Sequence, residues 1–124
     1  MTDINLVERY VNIWNEPDAE TRRATVRALW QEDARHLART LEPVGHALIE
    51  ERVATAYQKW VKEKGYIFRL RDSASHHDAI RVRWEMLPAA DKDRQGGEVI
   101  SVGLDLLLLG DDGRIRAGYQ FIEA

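Results

Sequence analysis

The sequence predicts an α+β domain in which N-terminal helices pack on a curved, mainly antiparallel β-sheet. Apolar residues recur at three- and four-residue spacing in the first half of the chain, whereas apolar and polar residues alternate in the second half. Helices followed by a run of strands joined by short turns are typical of this class. A length of 124 residues fits one domain, residues 1–124, with a single hydrophobic core.

Three helices are predicted in the first half. The first covers about Asp3–Asn15 and ends at the Asn-Glu-Pro-Asp stretch that follows. Asp18 is a suitable N-cap for the second helix, whose apolar side includes Trp30. The third helix covers Ala47–Glu63, and Gly65 ends it.

Strands are predicted for the remainder of the chain. A short first strand is assigned to residues 34–38, between the second and third helices. The other four strands are Tyr66–Arg71, Ala79–Leu87, Glu98–Leu109 and Arg114–Ile122.

Turns and loops separate these strands. Residues 73–78 are interpreted as a turn, and residues 88–97 as a polar loop. Gly110-Asp-Asp-Gly113 is a favourable turn sequence, which predicts that the last two strands form a hairpin.

Composition excludes several classes of function. The net charge of -3 gives no basic field, so we expect no nucleic-acid partner. There is no cysteine, which excludes thiolate catalysis and cysteine-ligated metals. His76 and His77 have no third ligand at useful spacing, so no metal and no other cofactor is predicted. The N-terminus lacks the pattern of a signal peptide and no apolar run could span a bilayer, so we predict a cytoplasmic protein without a membrane partner.

The strand over residues 98–109 is apolar on both faces. An antiparallel sheet with one solvated face should instead alternate apolar and polar residues. Its neighbour, the last strand, repeats the pattern. Helices can cover one face only, so we predict a homodimer that forms through the outer face of the sheet.

One carboxylate, Asp105, stands in the middle of this apolar strand. It points the same way as Ser101, Gly103 and Leu107, because successive strand residues face opposite sides. A buried, unpaired carboxylate costs several kcal/mol or more. We therefore expect Asp105 either to have a polar partner or to belong to a functional site.

Four segments of the chain carry a family resemblance. They are Glu8–Asn15, Leu29–His36, Gly45–Ile49 and Gly110–Ile115. In this order and spacing the chain resembles the nuclear-transport-factor-2-like (NTF2-like) superfamily, in particular its SnoaL-like polyketide-cyclase and ketosteroid-isomerase relatives. The resemblance implies a conical α+β barrel with a deep pocket between the helices and the sheet, commonly dimerised through the outer sheet face.

The resemblance also implies roles for single residues. Asp105 falls where ketosteroid isomerases have the protonated acid of the oxyanion hole, and Tyr10 falls where they have the oxyanion tyrosine. The isomerases' general base aligns with Ala38, which takes no proton. His36 should point the same way as Ala38 and is a candidate substitute. Glu42 in the following loop is the alternative.

Three further residues are predicted to bind substrate. Trp14 and Trp84 share faces with inward-pointing positions, so we expect both on the cavity wall. Gln120 shares a face with Gly118 and Ile122, and the family geometry would turn it inward.

Two function classes follow from these residues. The first is an isomerase- or cyclase-like enzyme acting on a small apolar molecule, in which Tyr10 and Asp105 stabilise an enolate and His36 moves the proton. The second is a non-catalytic dimer that binds a ligand or a partner, with Tyr10 and Asp105 as a structural pair. Epoxide hydrolysis ranks last, because only Asp105 fits its required set of groups.

Overall fold

The computed structural model describes residues 4–92 and 97–123. The helices are α1 (Ile4–Ile13), α2 (Ala19–Leu29) and α3 (His46–Ala56), with a π-helical continuation of α3 at Tyr57–Glu63 and a 3-10 turn at Ala89–Asp91. The strands are β1 (Trp30–Leu37), β2 (Tyr66–His76), β3 (Ala79–Pro88), β4 (Ser101–Leu109) and β5 (Ile115–Ile122). The predicted α+β architecture is confirmed.

The five strands form one mixed sheet that is curved and not closed. Their order is β1-β5-β4-β3-β2, in which β1 runs parallel to β5 and all other neighbours are antiparallel. The three helices pack on the sheet, and fully buried side chains fill the space between them, among them Val7, Trp30, Ile49, Val53 and Leu107. This burial supplies the main favourable free energy of folding.

The register of β4 determines where the central carboxylate lies. Asp105 pairs with Val82 on β3 and with Gln120 on β5, in the middle of the sheet. The odd-numbered residues from Gly103 to Leu107 are buried, whereas their even-numbered neighbours are only partly buried. The side of β4 that carries Asp105 is therefore the inner face, and Gly103 and Leu107 share it with Asp105 as the alternation predicts.

The boundary between α2 and β1 differs from the prediction. Asp18 caps α2 as expected, accepting from the Thr21 backbone N–H at 2.9 Å. The assignment of Trp30 to the apolar side of this helix was wrong, because Trp30 begins β1 and pairs with Ile115. The strand therefore starts four residues before the predicted position. Pairing with a distant strand determines that start, and the local pattern contains no sign of it.

Strand β2 is longer than predicted. The interpretation of residues 73–78 as a turn was wrong for most of them, because the strand continues to His76. Asp72 forms ion pairs with Arg81 at 3.8 Å and with Arg83 at 3.3 Å on β3. Cross-strand charge pairs of this kind stabilise a polar strand end that has no apolar pattern.

Other boundaries shift by smaller amounts. Strand β4 begins at Ser101 rather than Glu98. Residues 93–96 of the predicted loop, and Asp3 at the predicted start of α1, lie outside the described residues. Within the part of the chain that the structure describes, no helix has the length and apolar character needed to cross a membrane.

Candidate functional site

A cavity of about 320 Å³ lies between α1, α3 and the inner face of the sheet. Its walls are mainly aromatic and aliphatic, which suits a small apolar ligand. Five of the six predicted site residues line it: Tyr10, Trp14, Trp84, Asp105 and Gln120. The sixth, His36, is not among the lining residues.

Asp105 and Tyr10 form a hydrogen-bonded pair in the wall of this cavity. The Tyr10 hydroxyl donates to Oδ2 of Asp105 at 2.5 Å, and both side chains are almost completely buried. Helix α1 supplies the phenol and β4 supplies the carboxylate, from positions 95 residues apart in the chain. Short hydrogen bonds to an ionised carboxylate are among the strongest in proteins.

Trp84 donates a second hydrogen bond to the same carboxylate. Its Nε1–H lies 3.0 Å from Oδ1 of Asp105. Each carboxylate oxygen therefore has its own donor, so the buried charge is solvated by the protein itself. The sequence predicted Trp84 on the cavity wall but not this bond.

Gly103 makes room for the Trp84 indole. The two residues are partners in the β3–β4 register, and the indole ring lies directly over the glycine. A Cβ atom at position 103 would come within 2.1 Å of the indole Cζ2. Any larger residue there would displace the indole from Asp105, so the glycine is a requirement of the site.

Burial sets the protonation chemistry of the pair. Burial raises the pKa of Asp105 from 3.8 to about 6, although the hydrogen bonds from Tyr10 and Trp84 and the positive charge of Arg52 oppose this rise. The pKa of Tyr10 lies well above its ordinary value, first because of burial and then because of the adjacent carboxylate. Asp105 is thus the group that gains and loses a proton near neutral pH.

The indole also determines which carboxyl oxygen carries a proton. An indole N–H only donates, so Oδ1 remains the acceptor of the Trp84 bond. A neutral Asp105 therefore carries its proton on Oδ2 and donates it to the Tyr10 oxygen. The Tyr10 hydroxyl hydrogen is then free to point into the cavity and to donate to a ligand oxygen.

Arg52 is a cavity residue that the sequence interpretation missed. It lies on α3, with its Nη2 at 3.4 Å from Oε1 of Gln120 and its Cζ at 5.9 Å from the centre of the Trp14 ring. Its charge lowers the pKa of both Asp105 and His36. One arginine in a polar helical segment carries no sequence signal that separates it from the surface arginines.

His36 lies behind the cavity wall. Its side chain is fully buried, and its ring packs on Trp14 at 5.4 Å and on Trp30 at 6.2 Å between centroids. Neither ring nitrogen has a hydrogen-bond partner among the described residues. Burial, together with the charge of Arg52, lowers its pKa to about 4. The imidazole therefore packs against Trp14, a residue of the cavity wall, and does not itself line the cavity.

Neither the position that aligns with the isomerases' general base nor the alternative base lines the cavity. Ala38 follows β1 and does not line the cavity, and the alternative base, Glu42, is exposed in the loop after it. Of the lining residues within the described chain, Asp105 alone is a carboxylate. Residues 4–92 and 97–123 contain no cluster of three or more histidine, aspartate or glutamate side chains that could hold a metal ion.

Comparisons with known proteins place this geometry in a fold family. No protein-family model and no curated protein matches the sequence. Among solved structures, a proposed isomerase of the SnoaL-like family from Agrobacterium tumefaciens is 26% identical, with a TM-score of 0.84 over 98% of this chain and 97% of that one.

Two further structures match at lower identity. A proposed polyketide cyclase from Sinorhizobium meliloti is 16% identical, with a TM-score of 0.69 over 94% of this chain and 93% of that one. An NTF2-like protein of unknown function from Exiguobacterium is 15% identical, with a TM-score of 0.70 over 95% and 98% of the two chains. The chain has the NTF2-like fold, and the resemblance to SnoaL-like proteins is confirmed.

Proposed function

We propose that the cavity binds a small, mostly apolar molecule and transfers a proton at a carbon next to its carbonyl group. The observation that carries this proposal is the Tyr10–Asp105 pair, a phenol and a carboxylate buried together in the wall of an apolar cavity. The burial that raises the pKa of Asp105 to about 6 suits a group that exchanges protons near neutrality.

The proposed step balances within the pair and the ligand. Ionised Asp105 takes the proton from carbon, the C–H electron pair moves to the carbonyl oxygen, and an enolate forms. Neutral Asp105 then donates to Tyr10, whose hydroxyl hydrogen turns to the enolate oxygen. Return of the proton to the same carbon or to a conjugated carbon completes an enolisation or an isomerisation. Attack of the enolate carbon on another carbonyl would instead close a ring, as in a cyclase; the C=O electron pair moves to that oxygen, which then takes the proton from Asp105.

This assignment differs from the sequence-based hypothesis in the source of the base. His36 was proposed to move the proton, but it lies behind Trp14 and away from the cavity lining. Asp105 was proposed only as a neutral donor. We propose that Asp105 has two roles: when ionised it is the base, and once protonated it is the hydrogen-bond donor to Tyr10.

A non-catalytic binding protein is the second candidate. It is favoured by the complete satisfaction of Asp105, since both carboxylate oxygens already accept hydrogen bonds from the protein. A structural pair would be arranged in the same way. In this case ligands bind through apolar contact, and the phenol contributes to stability rather than to binding.

Titration with 2-naphthol, a fluorescent bicyclic phenol, tests whether Tyr10 contacts a ligand. At pH 5, where Asp105 is mainly neutral and the Tyr10 hydroxyl can donate to a ligand, we expect binding in Tyr10→Phe to weaken by roughly 10- to 100-fold, because the ligand oxygen loses its donor in an apolar site. Asp105→Asn should stay within about tenfold of the wild type, since its amide can still donate to Tyr10.

Tyr119→Phe is the matched control for this titration. Tyr119 lies on β5 opposite Leu106, and it does not line the cavity. Its loss should leave 2-naphthol binding unchanged. Equal binding by wild type and Tyr10→Phe, with lower stability of that variant, would support the structural reading of the pair and contradict the proposal.

We also propose that the chain forms a homodimer through the outer face of the sheet. Leu104, Leu106 and Leu108 of β4 remain partly exposed there, and Phe121 on β5 is 56% exposed. Burial of this apolar surface against a second copy is favourable. Light scattering should show a dimer for the wild type and for the helix-surface variant Ala28→Glu, but a monomer for Leu106→Glu. A monomeric wild type would refute the dimer.

A further inference from the structure

We propose that the ligand of the cavity is an anion, a small and mostly apolar molecule whose carboxylate group binds the Arg52 guanidinium. This inference rests on the proposed function for the place of binding. It goes further by assigning a charge and a functional group to the ligand.

Arg52 has few polar contacts for a guanidinium in an apolar wall. A guanidinium has five N–H donors, and the described chain provides one acceptor, Oε1 of Gln120, at a long 3.4 Å. Its Nε is buried without a hydrogen-bond partner. No carboxylate of the described residues lies within ion-pair distance of Arg52. Arg52 is partly buried, and a cation that is withdrawn from water to this extent in an apolar wall is normally paired.

Other arginines that are removed from solvent are better satisfied. The guanidinium of Arg22 donates to the backbone carbonyl of Glu16 at 2.6 Å. Arg69 forms an ion pair and a hydrogen bond with Glu85. Nε of Arg22 is also buried without a partner, but Arg22 does not line this cavity. Arg52 differs because it combines such an orphan Nε with a position in the cavity wall.

Asp105, the carboxylate among the described cavity-lining residues, is not the ion-pair partner of Arg52. It affects Arg52 only through longer-range charge, because its two oxygens already accept from Tyr10 and Trp84. Among the described residues no carboxylate pairs with Arg52, which leaves its guanidinium open to an acceptor bound in the cavity. A planar carboxylate matches the guanidinium fork with two parallel hydrogen bonds.

Gln120 supports the same assignment. Its side-chain oxygen is held toward Arg52, so its amide N–H groups are available to a second acceptor in the cavity that both residues line. A carboxylate placed there would receive hydrogen bonds from both side chains. The aromatic and aliphatic remainder of the wall would contact the apolar body of the ligand.

A matched pair of probes tests the charge requirement. 2-Naphthoate and 2-naphthamide have the same ring and nearly the same shape, but only the first is an anion. Calorimetric titration at pH 7 would measure both with the wild type, Arg52→Met and Arg52→Lys. Arg27→Met is the control, because it removes one exposed positive charge from α2, away from the cavity.

We expect wild type and Arg27→Met to bind 2-naphthoate roughly 10- to 100-fold more tightly than 2-naphthamide. In Arg52→Met the preference should vanish while 2-naphthamide affinity stays within about twofold, which also shows that the variant is folded. Arg52→Lys should keep part of the preference, since it retains the charge but loses the fork.

Three results would overturn the assignment: no preference in the wild type, no binding of either probe, or a preference that survives in Arg52→Met. The wild-type comparison decides the matter even if a variant fails to fold. Each of these results is distinct from a failure of the proposed function. If 2-naphthol binding still depends on Tyr10, the proposal that the cavity binds ligands through Tyr10 is retained, and only the proposal of an anionic ligand is refuted.

Discussion

In Asp105→Asn, deuterium exchange at the carbon next to a carbonyl should be about 10²- to 10⁴-fold slower than in the wild type. The bicyclic ketone 2-tetralone is a suitable probe for the apolar cavity, and NMR follows its exchange in D₂O. Asparagine has nearly the shape of aspartate but accepts no proton at neutral pH. The loss therefore measures the base alone.

The geometry explains why this variant separates catalysis from binding. The asparagine oxygen can still accept from Trp84, and its amide can still donate to Tyr10, so the phenol hydrogen still reaches a ligand. We therefore expect the exchange rate to fall while 2-naphthol binding remains within about tenfold. Asp111→Asn, in the exposed β4–β5 turn, should exchange at the wild-type rate. If Asp105→Asn also retained the wild-type rate, Asp105 would not be the base.

The second large effect is on the pH dependence of the free energy of unfolding, to which the buried groups His36 and Asp105 contribute with opposite sign. The pKa of His36 falls from 6.5 to about 4 on folding, so the unfolded chain binds its proton more readily. This group makes the protein less stable as pH falls from 6.5 to 4. The pKa of Asp105 rises from 3.8 to about 6 on folding, so the folded chain binds its proton more readily. This group makes the protein less stable as pH rises from 3.8 to 6.

The two contributions nearly cancel in the wild type. Each shift corresponds to about 3 kcal/mol over its pH range. We therefore expect the free energy of unfolding of the wild type to change little, by about 1 kcal/mol, between pH 4 and 6.5.

Removal of one titratable group should reveal the pH dependence of stability that the other contributes. In Asp105→Asn stability should rise with pH across this range by about 3 kcal/mol, whereas in His36→Leu it should fall by a similar amount. Urea unfolding at pH 4.5, 5.5 and 6.5 measures both slopes, and the double variant should have neither. Slopes of the same sign in the two single variants would be inconsistent with this account.

The functional pair could be predicted from sequence because its two members have unusual local settings. Asp105 is a lone carboxylate in an apolar strand, and Tyr10 stands in a segment of α1 that resembles the isomerases. The alternation of β4 gives the residues that share a face with Asp105, but not which face is the inner one, because both faces of the strand are apolar. The hydrogen bond between them confirms that the two residues meet, although their roles remain proposals.

The rest of the site depends on contacts that no local pattern encodes. The Trp84–Asp105 bond requires the β3–β4 register and the open space over Gly103. Arg52 looks like a surface residue in its helix, and only packing of α3 on the sheet turns it toward the cavity. His36 lies on the first strand, as predicted, and its side chain is buried. Its contact with Trp14 depends on the packing of α1 against β1, which the local sequence does not show.

The boundaries of helices and strands likewise divide into those set by local contacts and those set by pairing between strands. The α2 N-cap was predictable from a side chain that bonds three residues away. The start of β1 at Trp30 was not, because it is fixed by pairing with Ile115, which lies 85 residues away in sequence. The extension of β2 to His76 depends on pairing with β3 across a tight turn, in a segment with no apolar pattern. Long-range pairing overrides local preference in strands more than in helices.

The pH dependence of 2-tetralone exchange shows whether Asp105 is the group that takes the proton from carbon. We expect the wild-type rate to rise with pH through an inflection near 6, where Asp105 loses its proton. The inflection should move to higher pH in Trp84→Phe, which removes a hydrogen bond to the ionised form, and disappear in Asp105→Asn. A rate that is independent of pH between 4 and 8, or an inflection that persists in Asp105→Asn, would contradict the assignment of Asp105 as the proton-transfer group.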